Sequence, residues 1–131
     1  GADLSRVAIS HLPPRLEEVD RCVALTKRNC YVELDLFGME LFADVVRQLK
    51  GTEDPVATTK ALIDRGCIKN LLISQDLCAQ VCYKKNGGYG YDNILKRIVP
   101  KFKAAGITDQ QIRTIMVENP RRLFPFKNYA K

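Results

Sequence analysis

The chain lacks the features that would mark a membrane-spanning or secreted protein. Its apolar runs fall short of the roughly 18 residues that a membrane-spanning helix needs. Residues 1–6 lack the basic and then apolar order of a signal peptide. The five cysteines form no C-x-x-C pair, and their odd number favours reduced thiols. These absences predict a cytoplasmic protein without a membrane partner.

Missing motifs also exclude several classes of active site. A single histidine, His11, rules out a multi-histidine cage within this chain, and no G-x-S-x-G elbow or Rossmann glycine fingerprint occurs. Cys78 and Cys82 stand one helical turn apart and could share a metal or a disulfide. Because no second pair of soft ligands lies nearby, we favour ordinary, partly buried thiols. The glycine-rich segment 86–91 is too irregularly spaced for a phosphate-binding loop.

The composition is that of one folded domain. Hydrophobic residues make up 46% and charged residues 27% of 131 residues, so we expect a single domain over residues 1–131. The net charge of +6 lies towards the C-terminus, where residues 84–131 hold 11 basic and 3 acidic groups. These cations are spaced between apolar residues at helical intervals. This pattern favours a solvated helix face, and we do not expect nucleic acid as a partner.

Short aliphatic runs alternate with amphipathic segments. Strands are predicted near residues 6–10, 30–34 and 68–74, and helices over 15–28, 39–49, 55–65, 94–105 and 108–117. A short helix after residue 76 and a final turn beginning at 119–120 complete the pattern. That turn is expected to dock Leu123 and Phe124 on the core. The order β-α-β-α-β-α is typical of an α/β fold with parallel strands, either a small open sheet or part of a larger one.

A polar side chain follows each predicted strand. His11, Asp35 and Asp76 stand at the carboxyl ends, where the functional groups of parallel α/β folds gather. Imidazole nitrogen and carboxylate oxygen suit a divalent transition metal that keeps a water molecule as nucleophile. The spacing alone is compatible with a metal site and with a purely structural role for these residues. Polar residues end many strands, and a lone histidine is more often a structural residue than a ligand.

Several ordered motifs resemble the phosphotriesterase family. They are SRVAISH (5–11), CYVELDLFG (30–38), ISQD (73–76), GGYGY (87–91), IVP (98–100) and VENPR (117–121). Over nearly the whole chain they look like the C-terminal part of that family, in particular its phosphotriesterase-related branch within the amidohydrolase superfamily. The resemblance implies a (β/α)8 TIM barrel with two metals, usually zinc, bridged by hydroxide and often by a carbamylated lysine. This chain resembles its last three βα units, an incomplete barrel.

The resemblance also implies roles for individual residues. His11 matches the sixth-strand histidine that binds the more exposed metal. Asp76 matches the eighth-strand aspartate, which binds the more buried metal and holds or deprotonates the bridging hydroxide. Asp35 and Tyr89 are implied in the surroundings of the metals or in the substrate pocket, and Tyr89 stands where the related branch usually has histidine. The first-strand His-x-His pair, the bridging lysine and the fifth-strand histidine are expected outside this chain.

Departures from the family pattern narrow the predicted reaction. Pro13-Pro14 and Leu36 stand where organophosphate-cleaving members carry an aspartate and a histidine or arginine. We therefore predict hydrolysis of an ester, lactone or amide in a small-molecule substrate, with this chain alone inactive. We also predict homo-oligomers or association with the missing N-terminal part. The alternative is a non-catalytic α/β module whose basic C-terminal third binds an acidic partner or nucleic acid.

Overall fold

Three parallel strands form one sheet in the computed structural model, which describes residues 1–12, 14–37 and 54–125. The strands are β1 (Ala8–Ile9), β2 (Tyr31–Leu34) and β3 (Leu71–Ile73), and β2 lies between the other two. In the register, Ala8 lies opposite Tyr31 and Val32 lies opposite Leu71. The predicted α/β class with parallel strands is confirmed, although each strand is shorter than predicted.

Local turns account for the short strands. Leu4–Arg6 form a 3-10 turn before β1, and Asp3 caps it by accepting a hydrogen bond from the Ser5 N–H at 3.0 Å. A second 3-10 turn, Cys67–Asn70, precedes β3. Because backbone groups in these turns bond to one another, they do not join the ladder. The first residues of the strands predicted at 6–10 and 68–74 therefore lie outside the sheet.

Helices connect the strands, as expected for parallel pairing. The first, α1 (Val19–Lys27), follows a 3-10 turn at Leu16–Glu18. The next, α2 (Pro55–Asp64), begins after Asp54, whose Oδ1 accepts a hydrogen bond from the Ala57 N–H at 2.8 Å. A proline at the first helical position suits this start, since that N–H would have no intrahelical partner. The helix predicted over 39–49 lies outside the described residues.

Two interrupted helices close the described chain. After 3-10 turns at Gln80–Cys82 and Lys84–Asn86, a π-helical turn at Ile94–Ile98 leads into α3 (Val99–Ala104). Similarly, α4 (Asp109–Arg113) passes through a π-helical turn at Thr114–Glu118 into α5 (Asn119–Leu123). The final turn predicted to begin at 119–120 is present as α5, which continues the helical path to Leu123. Each π turn precedes a proline, Pro100 or Pro120, whose missing N–H interrupts regular helical bonding.

The main core lies between the sheet and the helices. Phe37 and Phe102 are fully buried, with their rings edge to face and their centroids 5.7 Å apart. Leu123 packs against Tyr31 in a smaller buried cluster, as predicted. Phe124, also predicted to dock on the core, is 71% exposed and lies just after the end of α5 at Leu123, so this part of the prediction is wrong. No helix in the described part of the chain has the length and hydropathy to cross a membrane.

Candidate functional site

Parallel pairing places the carboxyl ends of all three strands at one edge of the sheet, which we call the carboxyl edge. Asp35 comes directly after β2, while His11 and Asp76 come a few residues after β1 and β3. In open and barrel-forming parallel sheets this edge carries the functional groups, because rigid strand ends position side chains beside open loops.

The structure brings His11 and Asp35 into direct contact across 24 residues of sequence. Asp35 Oδ2 lies 3.2 Å from His11 Nδ1 and accepts the His11 backbone N–H at 2.9 Å. Asp35 is only 4% exposed, whereas the side chain of His11 is 73% exposed. With the proton on Nδ1, this carboxylate orients the ring and leaves the Nε2 lone pair free for a metal.

Strained backbone marks both residues that the family resemblance implies as metal ligands. His11 has a φ of +55° and Asp76 a φ of +43°, in the left-handed region that side chains other than glycine rarely adopt. Among the described residues, the other non-glycine case is Asn29, and Asn, Asp and His enter this region more often than other side chains do. Such conformations cost on the order of 1–3 kcal/mol each and cluster at active sites.

The carboxylate of Asp76 stands apart from the His11–Asp35 pair. Asp76 is half-buried, and within residues 1–12, 14–37 and 54–125 its side chain has no hydrogen bond or ion pair. The same residues include no group of three or more His, Cys, Asp or Glu side chains placed to hold a metal ion. A catalytic zinc site needs three protein ligands, and among the described residues no three such side chains converge.

Two amides at the same edge were missed in the sequence. Gln75 Nε2 donates to the Tyr91 carbonyl at 2.8 Å, and the buried Asn93 Nδ2 donates to the Phe37 carbonyl at 3.4 Å. Together they tie the segment after β3 to the ends of β2 and β3. In the sequence, these amides could be found only as polar residues next to apolar segments. Gln75 follows the apolar residues of β3, and Asn93 precedes the apolar helical residues that begin at Ile94.

Unsatisfied oxygens concentrate at this edge. Among the described residues, the buried side-chain oxygens without a hydrogen-bond partner are Asp35 Oδ1, Gln75 Oε1, Asn93 Oδ1 and, on α2, Thr58 Oγ1. A buried acceptor without a donor costs about 1–3 kcal/mol, so native proteins usually pair such oxygens with water, a ligand or an ion. The imidazole nitrogen of His11 and the carboxylate oxygens of Asp35 and Asp76 are atom types that divalent metals accept as ligands or as supports of ligands.

Comparison with known proteins shows which family this chain belongs to. The sequence model of the Phosphotriesterase family matches residues 1–124. The chain belongs to the phosphotriesterase family.

Curated relatives extend well beyond the matched region. A phosphotriesterase-related protein of Nematostella vectensis is 37% identical over 130 residues, and the N-acetyltaurine hydrolase of Homo sapiens is 31% identical over 132 residues. Each match covers 97% of this chain but only 37% of the relative. This phosphotriesterase-family chain therefore spans little more than a third of the length of these relatives.

Solved structures show the same partial coverage. A resiniferatoxin-binding protein from Rhodobacter sphaeroides superposes with a TM-score of 0.83 at 29% identity, covering 94% of this chain and 35% of that one. A phosphotriesterase homology protein from Escherichia coli, complexed with phosphate in its active site, superposes with a TM-score of 0.77 at 30% identity. That match covers 92% of this chain and 39% of the other.

The glycine-rich segment of this phosphotriesterase-family chain is built for close backbone packing. A Cβ at Gly88 would lie 2.2 Å from the carbonyl carbon of Cys82, and Gly90 has a φ of +70°. Next to these glycines, Tyr89 is half-buried, with the guanidinium carbon of Arg97 3.9 Å from its ring centroid. Glycine is required here by the fold, and the role of Tyr89 in a substrate pocket stays a prediction.

The cysteines are free thiols. Cys78 is exposed and Cys82 is buried, and neither is in a disulfide. Burial, followed by the charge of Glu18, raises the pKa of Cys22 to about 11. Because the thiolate is the reactive form, Cys22 is an inert core residue at neutral pH.

Proposed function

We propose that this chain is the C-terminal part of a metal-dependent hydrolase, contributing the last three βα units of a (β/α)8 barrel. The observation that carries the proposal is the carboxyl edge, where Asp35 orients His11 and where both His11 and Asp76 adopt left-handed backbone. Partial coverage of the relatives supports the same view, since the chain spans 35–39% of the structures that it superposes on.

Each residue at this edge has a defined task in the proposed reaction. His11 and Asp76 would help to hold a divalent metal, zinc in the binuclear centre expected for the family, which would supply an activated water and polarise the scissile carbonyl. His11 binds through Nε2, and Asp35 fixes the ring by holding Nδ1. The Asp76 carboxylate orients the attacking water, accepts its proton at a carboxylate oxygen and passes that proton to the leaving group. The remaining ligands belong to the rest of the barrel.

The proposed substrate is an ester, lactone or amide, with an amide favoured. Leu36, directly after Asp35, offers neither the histidine nor the arginine expected at that place in organophosphate-cleaving members. Relatives at 31% and 35% identity are the N-acetyltaurine hydrolases of Homo sapiens and Dictyostelium discoideum. N-acetyltaurine is an N-acyl amide, so these names favour hydrolysis of a small N-acyl compound.

The structure offers less support for nucleic-acid binding. Several cations of the basic C-terminal third are paired with carboxylates of the same segment. These pairs are Lys96–Asp92 at 2.7 Å, Lys103–Asp109 at 2.6 Å and Arg113–Glu118 at 3.0 Å. Paired surface charges of this kind contribute little binding energy to phosphates, which supports the interpretation as a solvated helix face.

Substitution of Asp76 in the complete metal-loaded protein tests the proposal. Asp76→Asn should lower kcat for an N-acyl amide or ester by at least about a hundredfold, because the amide cannot accept the proton of the attacking water. Asp64→Asn, at an exposed carboxylate on α2, is the matched control and should leave kcat unchanged. Asp35→Asn should weaken zinc binding by about 10–100-fold. An undiminished kcat in Asp76→Asn would refute the role of Asp76.

The 131-residue chain alone provides a second test. We expect it to hold zinc weakly, because His11 and Asp76 are two ligands where a catalytic site needs three. We also expect it to self-associate, since the described sheet leaves the outer sides of β1 and β3 unpaired. Zinc titration and light scattering check both points. A monomer that binds two zinc ions tightly and hydrolyses esters would contradict the partial-barrel proposal.

A further inference from the structure

A cavity lies at the opposite edge of the sheet, where the three strands begin. It has a volume of about 460 Å³, and Arg6, Asn29, Tyr31, Lys69, Asn70 and Arg122 are among its lining residues. These residues precede or begin the strands, except Arg122, which comes from α5. The cavity is therefore separate from the carboxyl edge that carries His11, Asp35 and Asp76.

The charge of this cavity is one-sided. Arg6, Lys69 and Arg122 line it, and none of the described carboxylates does. Within the described part of the chain, none of these cations forms an ion pair, whereas the helical cations named above are paired. Asp3 interacts electrostatically with Arg6 but forms no ion pair with it, and its Oδ1 accepts both the N–H and the hydroxyl of Ser5, at 3.0 and 2.7 Å. Positive charges that share a cavity repel one another unless an anion compensates them.

The guanidinium of Arg122 is held in place before any ligand arrives. Its Nη2 donates to the Lys69 carbonyl at 3.0 Å and to Asn119 Oδ1. Asn119 is fully buried, and its Nδ2 donates to the carbonyls of Ile68 and Leu71. The other N–H groups of Arg122 make no hydrogen bond to the described residues. A guanidinium ordered in this way binds an anion at a lower entropic cost.

We propose that this cavity binds a small, soluble phosphate-type anion with at least two negative charges. The cations supply charge-assisted hydrogen bonds, and the side-chain amides of Asn29 and Asn70 supply neutral donors. The volume suits a small ligand. A monovalent carboxylate would leave most of the positive charge uncompensated, so charge selects for a diphosphate or a phosphate ester. In barrels, the edge of the sheet at which the strands begin usually serves stability. A cluster of cations without ion pairs is unfavourable for stability.

Calorimetric titration of the full chain with sodium pyrophosphate tests this site, in moderate salt and without added divalent metal. We expect saturable binding of pyrophosphate, weaker binding of inorganic phosphate and no binding of acetate. Lys69→Gln and Arg6→Gln should each weaken pyrophosphate binding at least about fivefold, as expected for loss of one charge-assisted hydrogen bond. Arg121→Gln is the matched control, because Arg121 is an exposed neighbour on α5 outside the cavity lining, and it should change binding less than about twofold.

Three outcomes would overturn the proposal. One is an absence of pyrophosphate binding at millimolar concentration. Another is that Lys69→Gln binds pyrophosphate as tightly as the wild-type chain does, or that Arg121→Gln loses as much affinity as Lys69→Gln. Either result would show diffuse attraction to a basic surface. The third is binding of a single-stranded oligonucleotide without binding of pyrophosphate, which would assign the cations to nucleic acid. Circular dichroism of each variant checks that it is folded.

Discussion

Replacement of Asn119 by alanine should lower the free energy of unfolding by about 2–4 kcal/mol. The fully buried Asn119 amide donates to the Ile68 carbonyl at 2.7 Å and to the Leu71 carbonyl at 2.6 Å, and so joins α5 to the start of β3. Leu71 is itself fully buried, so its carbonyl would lose its side-chain donor without access to water, at a cost of about 1–3 kcal/mol. The bond to Ile68, a half-buried residue, contributes about 1 kcal/mol more.

Urea denaturation measures this loss directly. Asn119→Asp has the same size but no amide donor, and it should destabilise the fold at least as much as Asn119→Ala. The matched control is Gln110→Ala, which removes an exposed amide on α4 and should change stability by less than about 0.5 kcal/mol. A loss below about 1 kcal/mol in Asn119→Ala, or one equal to that of the control, would refute the reasoning.

Three further predictions concern the loop after β3, acid sensitivity and nucleic acid. Gly88→Ala should lower the free energy of unfolding by about 1–3 kcal/mol, because its Cβ would meet the Cys82 backbone at 2.2 Å. A loss below about 0.5 kcal/mol, measured by urea denaturation, would contradict this. Hydrogen bonds from Lys84 and then Lys96 lower the pKa of Asp92 from 3.8 to about 2. The stabilising contribution of Asp92 is therefore present above pH 4 and lost as the pH falls from about 4 to 2, so the difference in urea midpoint between wild type and Asp92→Asn should shrink over that range. A constant difference would be inconsistent with the lowered pKa. Duplex DNA should bind weakly at physiological salt in fluorescence anisotropy, whereas micromolar affinity that falls log-linearly with salt would favour the binding-module alternative.

Local patterns in the sequence were sufficient for the fold class. The aliphatic runs and the helical spacing between them predict parallel strands, because side-chain periodicity depends only on neighbouring residues. The start of the helix predicted over 108–117 is equally local, because Thr108 and Gln111 form a capping box in which both hydrogen bonds are present. The strand bounds were predicted less well, because the competing 3-10 turns have no comparably strong pattern. The π turns before Pro100 and Pro120 were missed for the same reason.

The candidate site, too, was predicted from the sequence only in part. By itself, the sequence determined that His11, Asp35 and Asp76 follow strands, since each comes after an aliphatic run. Only the tertiary structure decided that Asp35 holds His11, that Gln75 and Asn93 support the same edge, and that Arg6, Lys69 and Arg122 share a cavity. These contacts join residues far apart in the chain. They depend on the register of β1, β2 and β3 and on where α5 packs, and no local spacing encodes those distances.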